Sequence, residues 1–374
     1  GILFAPKLGM SKSAAATSVP VKRFVQIKPY TSSYEIWDLQ GAGSEIKLGI
    51  FKLIPYFSLN DYSANLDSTK AITSFDESGL HLDTSRKDNV QEIIYGSALQ
   101  FEKSNYEIGI NFSHFRFDHD FANSASSQYE AANFFFIFNK TGFPIFGETA
   151  LIDGRWGSVG GMKFGESKFR QLLIARYYQK DLPTWHGNPF SAQSRFDNEI
   201  GLYWGITILP AVRNKINAYI DIWQFPKTRY FEKMPTVGSE QFLQWETHFA
   251  SQIVRFTLQH KFKEKYISLE EAKIRDFKRT MIRLDWWQKL AEFTFKTRAE
   301  FVSEYLPEDA VYTKGYLFYE QLKVKLANLE MIGQITFFKS DTSPFTVKHY
   351  VYENNVDGIM QNNVVSGDGI TSYL

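Results

Sequence analysis

The sequence predicts an all-β chain: a large antiparallel up-and-down transmembrane β-barrel of about 14 or more strands, with long outer loops and short periplasmic turns. Three observations predict it. In Ala291–Tyr305, Phe293, Phe295, Ala299 and Phe301 fall on one side and Glu292, Thr294, Lys296, Arg298 and Glu300 on the other. Side chains of a strand alternate with a period of two, so the segment is apolar on one face and charged on the other. It also exceeds the roughly nine to eleven residues a tilted strand needs to cross a bilayer. Short connections (Lys103–Asn105, Asn139–Gly142, Pro210–Asn214, Ala327-Asn328) alternate with long ones (Asn60–Val90, Asp118–Gln128, Lys180–Asp197, Phe225–Ser239, Ser340–Ile370). Finally, 34 Phe and 20 Tyr among 374 residues need somewhere to sit, and aromatic girdles at two membrane interfaces provide it.

Residues 1–47 read as loop or plug material, with small polar runs such as Ser11–Ser18 and one strand near Val21–Tyr30. Residues 48–374 read as the barrel. Its strands are expected at Leu48–Leu59, Gln91–Phe101, Tyr106–Phe117, Tyr129–Asn139, Phe143–Ile152, Lys168–Tyr178 and Asn198–Leu209. They continue at Lys215–Gln224, Glu240–Phe249, Ile253–Lys263, Arg275–Gln288, Ala291–Tyr305, Thr313–Ala327 and Glu330–Lys339. Tyr266–Arg279 is the most helix-like stretch, enough for a turn or two at a strand end. Gly1–Phe4 reads as an interior piece of a longer chain and Gly369–Leu374 as a strand barely begun, so both ends are expected to be incomplete.

No run approaches the roughly 20 apolar residues of a membrane helix; a mean hydropathy of -0.29 suits strands whose every second residue is polar. The formal charge of +1, from 42 basic and 41 acidic residues, provides no global field for nucleic acid or anionic lipid. With no cysteine, disulfides, zinc-thiolate sites and cysteine nucleophiles are excluded.

Several segments resemble a group of Bacteroidota and Chlorobi-type outer-membrane proteins named for a helix-hairpin-helix domain that precedes a large barrel. The residues that carry the resemblance are Ile27–Ser32, Ala71–His81, Tyr177–Asp181, Asn198–Tyr203, Phe225–Tyr230 and Tyr352–Gly358, in the same order over most of the chain. The resemblance implies a barrel in the outer membrane of a Gram-negative bacterium, with further strands before Gly1 and after Leu374. It implies no established reaction. The helix-hairpin-helix part would precede residue 1, and no such repeat occurs in this chain.

The strongest functional signal is charge on the face turned from lipid. Glu292, Lys296, Arg298 and Glu300 share one face; Lys323 and Lys325 share another with Tyr319 and Gln321; Arg255 and Lys261 alternate with Val254, Phe256 and Leu258; Asp221 alternates with Ile220 and Ile222. Such residues tune the selectivity of a wet lumen or pair across strands in a plugged one. Trp185, His186 and Asn188 lie in a long loop that folds inward or recognises a ligand. His114 shares a face with Ile108, Ile110 and Phe112, whereas His119 between Asp118 and Asp120 lacks the spacing of a metal site. Trp286-Trp287 is expected in an interfacial belt. Gly157–Gly161 precedes strand-like alternation, not a helix, which argues against a phosphate loop. There is no Gly-x-Ser-x-Gly elbow or His-Glu-x-x-His pair, so no catalytic residue, metal or cofactor is assigned.

The expected role is a pore, a transporter or the barrel part of an envelope complex. Outer-membrane lipid would surround it, other envelope proteins and a small polar solute would be its partners, and no nucleic acid would be bound by this segment. The alternatives are a membrane anchor or scaffold for a nucleic-acid uptake or secretion system, and a barrel enzyme with a rim site around His114–Asp120.

Overall fold

The computed structural model describes residues 1–4, 12–13, 39–76, 86–122, 124, 126–140, 143–183, 186–193, 196–229, 232–267, 273–306, 311–326, 329–341, 347–354 and 360–373. The expected strand at Val21–Tyr30, most of the Ser11–Ser18 run and Trp185 lie outside them. The chain divides into two compact units. Unit 1 comprises 1–10, 19–162 and 174–199; unit 2 comprises 11–18, 163–173 and 200–374.

Strands in unit 1 are β1 (Gly41–Gly43), β2 (Ile46–Leu48), β3 (Phe51–Tyr62), β4 (Ala64–Leu66), β5 (Ile72–Phe75), β6 (Val90–Lys103), β7 (Tyr106–Phe117), β8 (Gln128–Lys140) and β9 (Phe143–Ile152). β10 (Arg155–Glu166) and β11 (Phe169–Tyr178) have residues in both units. β3, β6, β7, β8, β9 and β10 pair antiparallel in that succession, and β1 and β2 both pair with β3. β4 and β5 form a separate hairpin.

Unit 2 holds β12 (Glu199–Ala211, from Ile200 on), β13 (Asn214–Phe225), β14 (Thr236–Phe249), β15 (Gln252–Ile267), β16 (Lys273–Leu290), β17 (Phe293–Leu306), β18 (Val311–Leu326) and β19 (Leu329–Ser340). Each pairs antiparallel with the next. β20 (His349–Asn354) and β21 (Met360–Val365) form a separate hairpin, and β22 (Asp368–Tyr373) returns to pair with β19. The class is the expected one: an all-β, up-and-down antiparallel sheet, with 18 strands in its main sheet. Among the described residues no helix is long and apolar enough to cross a membrane.

Burial is inverted relative to a water-soluble sheet. On β7, Ile110 is 54% exposed and Phe112 52%, whereas Asn111 is 2% exposed and Ser113 0%. The same alternation runs down β13, where Ile220 and Ile222 are exposed and Tyr219, Asp221 and Trp223 buried. Rows of exposed apolar side chains over strands of 10–18 residues suit lipid, and the polar inner rows suit an aqueous or hydrogen-bonded interior. Together with sequential antiparallel pairing, these features define the membrane β-barrel class.

Local chemistry explains the turns. Asp153 (φ 47°) and Gly154 (φ 73°) close the β9–β10 hairpin, the Asp-Gly pair that a two-residue turn with positive φ at both positions favours. Ala250 and Ala291 occupy the same left-handed region in the β14–β15 and β16–β17 turns without a glycine's freedom.

Several expectations are corrected. The strand expected at Leu48–Leu59 is interrupted at Gly49 (φ 64°) and Ile50, a turn between β2 and β3. β10 was not expected; Gly157, Gly160 and Gly161 dilute its alternation, yet the strand pairs with β9 throughout Arg155–Met162. The described part of the helix-like stretch, Tyr266-Ile267 and Lys273–Arg279, is strand, because Lys263, Lys265, Arg275 and Phe277 follow the period of two. Two of the long connections carry hairpins of their own, β4–β5 and β20–β21. Trp286 faces outward as expected, but Trp287 is half-buried on the inner face among cations.

Candidate functional site

The inner face of unit 1 carries a network of neutral and charged hydrogen bonds. The Tyr56 hydroxyl donates to Asn111 Oδ1 at 2.9 Å and lies 2.6 Å from Ser113 Oγ. Gly96 faces it; a Cβ there would stand 2.5 Å from the Tyr56 oxygen. Arg176 and Glu199 form an ion pair that is fully buried. The described residues of the 179–198 segment fold onto this face. Its His186 sits with Nε2 3.0 Å from both Glu92 oxygens, and the ring stacks on Phe115 and contacts Phe4 and Tyr62. The Asn188 amide donates to the Gly1 carbonyl at 3.1 Å. His186 is therefore held inward by packing, and Asn188 is half-buried.

The inner face of unit 2 differs in carrying rows of ionic side chains on β14–β17. Strand register builds it: Arg255 lies opposite Glu246, Lys261 opposite Glu240, Arg298 opposite Asp285, Arg283 opposite Glu300, and Arg279 opposite Glu304. All five registers become ion pairs. Arg298 Nε donates to Asp285 Oδ1 at 2.6 Å and Arg283 Nε to Glu300 Oε2 at 2.6 Å. Such charge-assisted bonds in a partly buried wall each contribute about 1.5–3 kcal/mol relative to an unmade bond. Lys12 reaches Asp221 at 2.7 Å and Glu240 at 3.5 Å, and Glu240 also accepts from the Tyr219 hydroxyl and from Gln259.

The segment between β19 and β22 folds against this wall. His349, fully buried, has Nδ1 2.7 Å from Glu300 Oε1. Val351 and Val365 pack on Leu317 and Tyr319, and Val347 on Met281 and Val302. Gly315 makes room: a Cβ there would stand 2.5 Å from His349 Nε2 and 2.9 Å from Val347 Cγ1.

Of the residues singled out from sequence, Arg255, Lys261, Arg298, Glu300 and Asp221 are joined in these pairs. Lys323 pairs with Glu330 near the β18–β19 turn, and Lys325 lies exposed beside them. Glu292 lies exposed in the β16–β17 turn. Among the described residues Lys296 has no carboxylate in salt-bridge range; its ammonium rests 5.7 Å from the Trp287 ring and 5.4 Å from that of Tyr319. Sequence reasoning missed Arg279, Arg283 and Asp285, although the alternation of β16 places all three on one face. It also missed His349, for which no local pattern exists. His114 faces outward, stacked on Tyr95 with ring centroids 4.8 Å apart, and His119 bonds Asp118 at 2.8 Å, so the two histidines have separate partners. Among the described residues no group of three or more His, Asp or Glu side chains is placed to hold a metal ion.

No family model matches the chain, and no curated protein matches it. Among solved structures it is similar to the outer-membrane OmpT of Vibrio cholerae, at 8% identity over 88% of this chain and 98% of that one, with a TM-score of 0.40. It is similar also to the copper transporter OprC, at 8% identity over 78% of this chain and 56% of that one, with a TM-score of 0.42. A third is an anion-selective porin from Comamonas acidovorans, at 11% identity over 85% and 94%, with a TM-score of 0.37. At these values the likeness says nothing of cargo.

Proposed function

We propose that the chain is a β-barrel of a Gram-negative outer membrane, embedded in its lipid, that gives small polar solutes a path along the charged inner face of unit 2. The observation that carries this reading is the inversion of polarity, with apolar side chains exposed outward and arginine, lysine and carboxylate rows inward. The β20–β21 hairpin narrows the path where His349 meets Glu300. In this reading Lys296, without a salt bridge among the described residues, tunes which ions pass, because arginines held by carboxylates contribute little net field.

Conductance of the complete refolded protein in a planar bilayer tests it, with migration on unboiled gels as the check of folding. Stable open steps are expected, and Lys296→Glu should move the reversal potential in a salt gradient toward cation preference. A folded but silent barrel would overturn the path and favour a second reading, a barrel anchor of an envelope complex. The packing of the 179–198 segment onto the inner face of unit 1 supports that alternative. We further propose kinship with the helix-hairpin-helix outer-membrane proteins on the segments quoted above.

A further inference from the structure

The ionic wall of unit 2 is not balanced. Its carboxylates Asp221, Glu240, Glu246, Asp285, Glu300, Glu304 and Glu330 are all engaged by arginine, lysine or histidine. Lysines are left over, and two of them stand together at the loop end of β15. Lys263 and Lys265 both lie over the Phe277 ring, their ammonium groups 5.2 Å and 4.4 Å from its centroid. Neither has a salt bridge among the described residues. Lys261 on the same strand is 3.8 Å from Glu240, a carboxylate already shared with Lys12, Tyr219 and Gln259.

Electrostatics and shape point the same way. The charged neighbours of Lys263 include Lys265, Lys261 and Arg229, all positive, opposed by the carboxylate of Glu304. That carboxylate is occupied by Arg279, whose guanidinium also donates to the Lys348 carbonyl at 3.2 Å. Opposite Lys263 stands Gly238, where the Trp223 ring fills the space of a side chain, so the floor is flat and aromatic. Like charges collected over rings, with no salt bridge among the described residues, form a site that an added anion completes.

We propose that Lys261, Lys263 and Lys265, over Phe277, form an oxyanion-binding station for small soluble solutes bearing a phosphate or carboxylate group. The assignment rests on the inner face being reached by solute, as proposed above, and it narrows the solute to an anion. The ammonium groups donate hydrogen bonds to the oxyanion, and Trp223 and Phe277 carry its less polar part.

The test is calorimetric titration of inorganic phosphate into the complete protein refolded in detergent, with choline chloride of equal ionic strength as the control, alongside bilayer conductance. Phosphate should bind saturably. Lys263→Gln with Lys265→Gln should raise its Kd about tenfold or more, the loss of at least one charge-assisted contact, while the outward-facing Lys339→Gln leaves it unchanged. Absence of saturable binding, or equal weakening by Lys339→Gln, overturns the station. A conducting protein without the Lys263/Lys265 effect loses the station and keeps the path. A silent protein that retains the effect keeps the station and loses the path. Lys263→Arg with Lys265→Arg, which retains the charge, should restore binding if the double glutamine variant folds poorly.

Discussion

At the scale of single residues, backbone strain and local hydrogen bonds make the firmest predictions. Ala250 (φ 42°) and Ala291 (φ 49°) lie where an L-residue costs about 1–2 kcal/mol. Ala291→Gly relieves that cost and loses part of the gain to unfolded-chain entropy. A net stabilisation of roughly 0.5–1 kcal/mol is expected from urea unfolding in micelles; an unchanged midpoint would show the turn to be relaxed in solution. Asp67, in the exposed turn between β4 and β5, is held below the usual carboxylate range by the Thr69 hydroxyl first and then by the Ala71 and Thr69 amides. Its folded-state pKa is depressed, so its contribution is present above the unfolded value and is lost as pH falls through the folded one. Thr69→Ala should return the Asp67 carboxyl toward its ordinary titration, read by carbon-13 NMR of that group.

At the scale of elements, the hairpin β20–β21 is the part whose attachment can be broken without replacing a charged residue of the wall. Gly315 is the lever, because a methyl there collides with His349 Nε2 and Val347 Cγ1. Gly315→Ala should displace the hairpin, cost about 1–3 kcal/mol as overpacking does, and expose residues 347–354 to protease while β-sheet circular dichroism is retained. Protection equal to the parent would mean that the wall yields and the hairpin stays. The elements also show how far the sequence carries. Tyr106–Phe117 is legible to the residue because polar and apolar positions alternate along it, and Phe143–Ile152 because short turns bound it on both sides. β10 is not legible, since glycine supplies neither an apolar nor a polar vote at three of its positions.

At the scale of the molecule, the inversion of polarity predicts which tryptophans touch lipid. Trp156, Trp204, Trp245 and Trp286 are exposed, whereas Trp223 is 4% exposed and Trp287 lies between the Arg255 and Lys296 cations. In vesicles containing brominated lipid, Trp286→Phe should reduce the quenched fraction of fluorescence and Trp287→Phe should leave it nearly unchanged. The reverse result would turn the strands inside out and remove the basis for a polar path.

Alternation alone carries the all-β class, most of the long strands and the face of the charges along them, because a period of two is a local property of one strand. It identified Arg255, Lys261, Arg298 and Glu300 as inner-face residues. Only the tertiary structure decided which charges cancel. Register converts Arg283 and Glu300, 17 residues apart, into a pair and, among the described residues, leaves Lys263 and Lys265 without one. Loops were decided there too: His186 reaches Glu92 across 94 residues and His349 reaches Glu300 across 49. Contacts of that range depend on where strands come to lie beside each other, and no window of the sequence encodes them.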